Sequence, residues 1–359
     1  MKKINFIFKT LFFASILVLV SCSDDAEPQE PRGDYENGII ISGEGASAAA
    51  GGTISFISND YATVESKIYN KVNGLDLGIF LQSMTLEGDN AYIVVDNQNT
   101  ISVVNRYTFQ ELGKITEELS TPRYITVVGN RGYVTNWGST SDETDDFIAV
   151  VDINTFEFIE KISVGNGPER IAFNGGKLYV THKGAFTNNN IVSVINLSNN
   201  EVSTITVKDR PDEMFFKSST ELVVLSEGRT LYDSNFNVIG HTQAGIATIN
   251  LQTNEVTSEI EFTEGIHPSL MDTLNGELYY AISNDVYKVG INATTPATDE
   301  LLSDVADISF YGMAVKDGKL YALDASFSDI SKVNIFDLSS NEKTNTFDAP
   351  LGASKIYFN

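Results

Sequence analysis

The sequence is poor in cysteine, histidine and basic residues, and each shortage excludes a class of structure or function. Its 359 residues include one cysteine, Cys22, so an intramolecular disulfide is impossible. Lysine and arginine number 24 against 48 aspartates and glutamates, which gives a formal net charge of −24. A nucleic-acid partner needs a basic surface for its phosphates, so we expect none. An acidic surface mainly favours solubility and does not indicate which ligand the protein binds.

Motifs of catalysis and metal binding are also scarce. The histidines are three, His182, His241 and His267, and none has a zinc-type spacing with a second ligand. Residues 43–48 fit a relaxed dinucleotide pattern, but a glycine-rich run and a strand follow instead of a helix, which favours a flexible loop. The carboxylates of residues 141–146 could bind calcium or form a solvated loop, and they lack EF-hand spacing. We expect a non-enzymatic protein with no catalytic residue, resident metal or cofactor.

The sequence does contain a recurring pattern of short strands. In residues 167–207, four stretches of alternating apolar and polar residues are separated by turns rich in Asn and Gly, which predicts four antiparallel strands. A proline opens the first strand of several copies, a position that suits its missing N–H. One second-strand position recurs at intervals of 41, 46, 44, 56 and 42 residues: Tyr92, Tyr133, Tyr179, Val223, Tyr279 and Tyr321. Four strands in each such period predict the blades of a β-propeller.

Counting the innermost strands gives seven blades. These strands are expected near residues 80–86, 124–128, 170–173, 213–216, 270–274, 310–315 and 354–358. Strand patterns at 39–41, 53–57 and 64–69 have no inner partner, so the C-terminal strand is expected to complete their blade and leave no open sheet edge. The predicted fold is an all-β, seven-bladed β-propeller of four-stranded antiparallel blades over residues 38–359. The ring is closed by the N- and C-terminal strands, with six or eight blades as minor alternatives.

The first 37 residues have the pattern of a signal and a tether. Lysines precede an apolar run at 11–20 that is short for a bilayer span, so residues 1–21 are interpreted as a signal peptide. The run ends in Leu-Val-Ser-Cys, which resembles the bacterial lipobox and implies acylation of Cys22. Residues 22–37 are acidic and contain proline, which predicts a disordered tether. They resemble the export tag of Bacteroidetes-type lipoproteins, which implies an outer-membrane lipoprotein facing the cell surface; a tether facing the periplasm is the alternative.

The repeat itself resembles a known family. The segments G-P-E-R-I-A at 167–172, L-Y-V-T at 178–181 and V-S-V-I-N-L at 192–197 are similar to the YVTN (YncE-like) seven-bladed propellers. With the lipobox and the acidic tag, this architecture resembles the surface cobalamin-binding (BtuG-like) lipoproteins. That resemblance implies capture of a corrinoid for a TonB-dependent outer-membrane transporter, by a protein that is monomeric outside the transporter complex. The motif reflects blade packing, so the identity of the ligand rests on analogy alone.

Loops on one face of such a propeller would gather the candidate ligand-binding residues. The loops leading into the inner strands and those between second and third strands share the usual ligand face. They carry basic, aromatic and polar side chains that suit a polar organic ligand. The candidates are Arg123, Asn136, Trp137, Glu169, Arg170, His182, Lys183, Arg210, Tyr232, His267 and Asp324. The alternative is that each arginine pairs with a neighbouring carboxylate in loop packing.

Two further functions and one structural feature stay open. A surface propeller could instead bind a protein or a glycan, in which case small-molecule binding would be absent. A lactonase- or lyase-type enzyme would need a metal at the channel centre, and its activity would be sensitive to chelators. Residues 227–244 form the longest insertion and predict a small hairpin over the mouth, either a lid or a decoration.

Overall fold

The computed structural model describes residues 31–359, and β-strands dominate this part of the chain. Its compact unit extends from Arg32 to Asn359. One α-helix, α1 (Ile68–Asn73), and one 3₁₀ helix (Asp96–Gln98) interrupt the strands. No helix among residues 31–359 has the length and apolarity needed to cross a membrane. The predicted signal peptide, the lipobox cysteine Cys22 and most of the predicted tether lie outside the described residues.

The strands follow one another closely along the chain. In order they are β1 (Gly38–Ser47), β2 (Ala50–Ser58), β3 (Val64–Glu65), β4 (Leu81–Glu87), β5 (Asn90–Val95), β6 (Thr100–Asn105), β7 (Glu111–Ile115), β8 (Pro122–Val128), β9 (Arg131–Asn136), β10 (Phe147–Asp152), β11 (Phe158–Ser163), β12 (Pro168–Asn174), β13 (Lys177–His182), β14 (Ile191–Asn196) and β15 (Glu201–Thr206). They continue as β16 (Pro211–Ser218), β17 (Glu221–Ser226), β18 (Arg229–Tyr232), β19 (Val238–Thr242), β20 (Gly245–Asn250), β21 (Glu255–Glu261), β22 (Pro268–Leu274), β23 (Glu277–Ile282), β24 (Asp285–Gly290), β25 (Phe310–Lys316), β26 (Lys319–Asp324), β27 (Ser331–Asp337), β28 (Glu342–Ala349) and β29 (Ala353–Phe358).

These strands form seven antiparallel blades and one separate two-stranded hairpin, which confirms the predicted seven-bladed, all-β propeller. From the centre outward, blade 1 is β29-β1-β2-β3, blade 2 is β4 to β7, blade 3 is β8 to β11 and blade 4 is β12 to β15. Blade 5 is β16-β17-β20-β21 with the separate hairpin β18–β19, blade 6 is β22 to β24, and blade 7 is β25 to β28. Six blades therefore have the predicted four strands. In blade 6 the fourth strand is replaced by a loop that makes one bridge, Val286 to Leu302.

The ring closes through strands from the two ends of the chain. β29 pairs antiparallel with β1, with Tyr357 opposite Ile40. Asn359 N–H donates to the Gly38 carbonyl at 2.9 Å, and Gly38 N–H donates back at 3.3 Å. The side-chain amide of Asn359 also donates to the carbonyls of Tyr35 and Arg106, both at 2.7 Å. One terminal residue thus fastens blade 1 to the chain that precedes it and to blade 2.

Three local predictions differ from the structure. The strand expected over 64–69 ends at Glu65, because Lys67 takes a left-handed conformation (φ 54°) and α1 follows, burying Ile68. Residues 43–48, expected to be a flexible loop, lie mostly in β1, which runs on to Ser47. Tyr35, which lies in the predicted tether, is buried and packs edge-on against two phenylalanines of blades 1 and 2.

The recurring second-strand residue explains why the pattern repeats. Each of these side chains is buried in an apolar cluster between its own blade and the next, as Tyr92, Tyr133, Tyr179, Val223, Tyr279 and Tyr321 show. Burying one such side chain contributes about 1.5–3 kcal/mol. The sequence period is therefore the period of the interblade cores.

Candidate functional site

A β-bulge occurs near the start of every inner strand. The register slips by one residue at the same place in all seven, at Gln82, Arg123–Tyr124, Glu169–Arg170, Asp212–Glu213, Leu270, Tyr311 and Ser354. A bulge bends its strand and re-aims the side chains beside it. Here the bulged segments of the first six of these strands, and Lys355 beside the seventh, line one central channel.

The channel has a volume of about 530 Å³ and two unlike sides. Blades 2 to 5 contribute most of its charged residues and form the charged wall, whereas Leu270, Phe310 and Tyr311 of blades 6 and 7 form an apolar wall; Phe80 precedes the inner strand of blade 2. Five cationic side chains and six carboxylates line it: Arg123, Arg170, Lys183, Arg210 and Lys355, with Glu44, Asp96, Glu169, Asp212, Glu213 and Glu227. The lining is therefore almost balanced in charge, although the protein as a whole is strongly acidic.

Arg123 organises one cluster of this wall. Its Nη1 donates to Asp96 at 2.6 Å, and its Nε and Nη2 donate to the two oxygens of Glu169 at 3.1 and 3.0 Å. Its guanidinium lies 3.7 Å from the centre of the Trp137 ring. The Arg123 side chain is 12% exposed and that of Glu169 4%. Although burial opposes the charge, the two carboxylates raise the pKa of Arg123, so it stays cationic.

Asp212 is the centre of a second cluster. It accepts hydrogen bonds from Arg170 Nε at 2.9 Å and from Lys183 Nζ at 2.7 Å, and Lys183 also donates to Glu227 at 2.8 Å. Although burial favours the neutral acid, Lys183 and Arg170 hold the pKa of Asp212 well below its usual range. Arg170 also donates to Glu213. Burial outweighs that pairing and, with the charge of Asp212, raises the pKa of Glu213 to about 7.

Six of the eleven predicted ligand-site residues line the channel. They are Arg123, Trp137, Glu169, Arg170, Lys183 and Arg210. Each basic residue among them also contacts a carboxylate; Arg210 Nε, for example, lies 3.5 Å from Glu227 Oε2. The pairing weighed as an alternative is thus present, and it occurs inside the shared cavity. The result is a wall of paired charges.

Three predicted residues occupy an equivalent buried position away from the channel. Asn136, His182 and Asp324 each end the second strand of a blade and turn back to the loop that leads into the same blade. Asn136 accepts the Ser120 N–H at 2.9 Å, His182 Nδ1 donates to the Asn166 carbonyl at 3.1 Å, and Asp324 accepts three successive loop N–H groups. Burial lowers the pKa of His182 to about 4. These side chains satisfy loop backbone groups that would otherwise lack partners.

The last two predicted residues belong to the insertion and its neighbour. The insertion forms the hairpin β18–β19, as predicted, and Tyr232 ends its first strand, largely exposed. His267 lies just before β22 and contacts His241 on the hairpin, with 3.0 Å between Nε2 of His267 and Nδ1 of His241. Neither Tyr232 nor His267 lines the channel. The two histidines are 26 residues apart, so no local motif indicated their contact.

Much of the channel lining is absent from the residues predicted from the sequence. The additional lining residues include Glu44, Phe80, Gln82, Asp96, Tyr124, Asp212, Glu213, Glu227, Tyr311 and Lys355. A signal for two of them was available, because Arg123, Glu169 and Asp212 each follow the proline that begins an inner strand. Aligning the repeats on those prolines places Asp212 and Glu213 beside the arginines. Glu44 and Lys355 had no such signal, since β1 and β29 come from opposite ends of the chain.

The carboxylates of the acidic loop at 141–146 do not converge as metal ligands. Among residues 31–359, no group of three or more His, Cys, Asp or Glu side chains has the geometry to hold a metal ion. Asp146 instead accepts the Gly167 N–H and is buried. Burial and the neighbouring Asp145 and Asp142 raise the pKa of Asp146 to about 6.

Comparison with known proteins identifies the family and supports the fold. No curated protein matches the chain. A functionally unknown protein from Desulfotomaculum acetoxidans DSM 771 is 13% identical, with a TM-score of 0.64 over 90% of this chain and 99% of that one. Kuenenia stuttgartiensis hydrazine synthase is 18% identical (TM-score 0.57; 76% and 87% covered), and the dihydro-heme d1 dehydrogenase NirN is 11% identical (TM-score 0.56; 92% and 77% covered). Such identities show a shared fold alone. Residues 37–236, more than half of the chain, match the domain of unknown function DUF5074, and the protein therefore belongs to the DUF5074 family.

Proposed function

We propose that the central channel binds a polar organic small molecule and that the protein is a non-enzymatic capture protein. The observation that carries this proposal is the convergence of bulged inner strands on one cavity with a charged wall and an apolar wall. Paired, largely buried side chains such as Arg123 and Glu169 are already held in place. Binding to such a preorganised wall loses little side-chain entropy, which favours affinity.

The two walls suit a ligand that combines hydrogen-bonding groups with a flat apolar surface. Carboxylates and guanidinium groups have several acceptor or donor positions, so those of the charged wall can contact a ligand while keeping their pairs. Phe80 at blade 2 and Tyr311 at blade 7 are 44% and 39% exposed and offer rings for stacking. A corrinoid, the ligand that the sequence resemblance implies, has a flat ring edged with amides. The cavity of about 530 Å³ would hold part of the corrinoid, and the rings of Phe80 and Tyr311 would contact the rest.

The proposal extends to the place of the protein in the cell. The lipobox-like sequence and the acidic segment support a chain that is acylated at Cys22 and displayed on the outer membrane. There it would pass its ligand to a TonB-dependent transporter. Cys22→Ser should move the protein from the membrane fraction to the soluble fraction. Protection of the wild-type protein from protease added to intact cells would contradict surface display.

Titration calorimetry of the full chain with cobalamin and with cobinamide tests the ligand. We expect one-to-one binding that Trp137→Ala weakens at least tenfold, since Trp137 supports Arg123 in the channel wall. Leu112→Ala is the matched control, because Leu112 is exposed on outer strand β7. Equal affinity of both variants would move the site elsewhere. Absence of heat and of a melting shift with either compound would reject the corrinoid.

A second candidate function is recognition of a macromolecular partner by the hairpin β18–β19. Four large apolar side chains of this hairpin are more than half exposed: Tyr232, Phe236, Val238 and Ile239. Exposed apolar groups gathered in this way mark interaction surfaces. A stable complex that is lost on Phe236→Ser, with no small-molecule binding by the channel, would favour this function over ligand capture.

A further inference from the structure

We propose that Glu44 and Lys355 anchor a zwitterionic ligand in the channel, namely an amino acid with an apolar side chain. Both residues line the channel, and both belong to blade 1. The carboxylate of Glu44 would bind the ammonium group of the ligand, and the ammonium of Lys355 would bind its carboxylate. The assignment rests on the proposed function, because it takes the channel as the ligand site, and the ligand class comes from the channel residues rather than from the corrinoid resemblance.

These two residues carry the channel charges that remain unpaired within residues 31–359. The other four cations and five carboxylates of the lining form ion pairs with one another, as Arg123 does with Asp96 and Glu169. Glu44 and Lys355 are half-buried and take part in none of these pairs. A charge that is partly removed from water is costly until it gains a partner. One unpaired charge of each sign therefore matches a ligand that carries both an ammonium and a carboxylate.

The strands of blade 1 hold the two anchors near each other. Lys355 lies on inner strand β29 opposite Ser42 of β1, and Glu44 follows two residues later on β1. The Glu44 N–H donates to the Gly352 carbonyl at 2.9 Å, which ties β1 to the turn before β29. Burial raises the pKa of Glu44, and the charge of Lys355 opposes this rise. The two charges thus interact without forming an ion pair, so each keeps hydrogen-bonding capacity for a ligand.

An aromatic pair adjoins these anchors. Strand β25 of blade 7 approaches β29 so closely that a Cβ at Gly312 would lie 2.4 Å from a β29 carbonyl oxygen. The neighbouring Tyr311 packs edge-on against Phe327, with ring centres 5.4 Å apart, and both rings are partly exposed. Burial raises the pKa of Tyr311; the charge of Glu44 adds to the rise, and that of Lys355 opposes it. Both anchors are therefore near Tyr311, and an apolar side chain of the ligand can pack on its ring.

The ligand class follows from this arrangement. An α-amino acid carries its ammonium and carboxylate on one carbon, so both groups can reach neighbouring anchors while the side chain extends to the apolar wall. A ligand with a single charge would satisfy one anchor and leave the other without a partner. The cavity of about 530 Å³ lies within the usual range of small-molecule sites and can hold an amino acid with several waters.

A matched set of three compounds tests the proposal by calorimetry of the full chain at pH 7. L-Phenylalanine has both charged groups, phenethylamine lacks the carboxylate, and 3-phenylpropanoate lacks the ammonium. We expect the wild type to bind phenylalanine one-to-one and at least tenfold more tightly than either analogue, because each analogue loses a charge-assisted hydrogen bond. The comparison uses the wild type alone, so it decides the question even where a substitution impairs folding.

Two substitutions assign each ligand group to its anchor. Lys355→Met should weaken phenylalanine binding at least tenfold and leave phenethylamine binding unchanged, because phenethylamine has no carboxylate. Glu44→Gln should weaken phenylalanine binding and leave 3-phenylpropanoate binding unchanged, because that compound has no ammonium. Lys343→Met and Glu342→Gln, at exposed positions of outer strand β28, are the matched controls and should bind like the wild type.

The outcomes separate this assignment from the proposed function. Equal affinity for the three compounds, no binding of phenylalanine, or wild-type affinity in both anchor variants would each overturn it. Corrinoid binding that depends on Trp137, without phenylalanine binding, would keep the channel as the ligand site and overturn the amino acid alone. Phenylalanine binding with the expected losses, and no heat from either corrinoid, would support the amino acid and reject the corrinoid.

Discussion

Replacing Arg123 with methionine should test the buried charge network of the channel. Methionine retains much of the apolar stem but leaves Glu169 and Asp96 without their shared cation. Glu169 loses hydrogen bonds of 3.0 and 3.1 Å, and Asp96 loses one of 2.6 Å. Removing one partner of a buried ion pair costs about 3–5 kcal/mol, because the remaining charge is poorly solvated. Losing the guanidinium above Trp137 adds about 0.5–2 kcal/mol, so we expect a total loss of about 3.5–7 kcal/mol.

Urea unfolding of the full chain at pH 7 measures this loss. In a double-mutant cycle, Glu169→Gln should recover part of it, since the neutral amide no longer needs a cation, and the coupling should be about 1–3 kcal/mol. The control is Lys332→Met, which breaks an ion pair whose side chains are 46% and 63% exposed and should cost less than about 1 kcal/mol. If Arg123→Met costs no more than this control, the channel carboxylates are well solvated and the reasoning fails.

Three further changes have defined outcomes. The pKa of Glu213 is raised to about 7, so the folded state favours the neutral acid and loses stability as the pH rises from about 4.5 to about 7. Glu213→Gln should flatten this slope and be more stable by about 1–3 kcal/mol at pH 8, and an unchanged urea midpoint there would contradict this expectation. Asn359→Ala removes the side-chain hydrogen bonds at the ring seam and should cost about 1–3 kcal/mol, whereas the exposed Asn199→Ala should have no effect on the melting temperature. Gly312→Ala would place a Cβ 2.4 Å from the Ser354 carbonyl oxygen, so we expect about 1–3 kcal/mol of destabilisation; wild-type stability would show that the strand shifts freely.

The blade count could be predicted because interblade packing is periodic. Each blade needs a large apolar side chain at the same second-strand position, so Tyr92 and its successors mark the repeat in the sequence. Blade 6 departs from the pattern because a loop that makes a single bridge takes the place of its outer strand. The sequence of that loop does not indicate whether it forms a strand or a loop.

The channel could be predicted only in part, because its lining depends on irregular backbone. Alternation along a strand assigns side chains to two faces, but a bulge such as that at Arg123–Tyr124 turns neighbouring residues towards the channel. Asn136 and Arg123 lie at the same mouth, yet one satisfies its own loop and the other lines the cavity. The loop sequences do not distinguish these two outcomes, and residues as distant along the chain as Glu44 and Lys355 share no local pattern.

The closed ring also determines on which face of the propeller Gly38, Asn359 and Arg32 lie. The channel mouth lies where the inner strands begin, whereas β1, a second strand, runs the other way, so Gly38 and Asn359 meet at the opposite face. Arg32 lies at that face too, with its guanidinium carbon 3.6 Å from the centre of the Tyr107 ring in a turn of blade 2. A surface that binds this face of the propeller would therefore leave the channel mouth open to solvent.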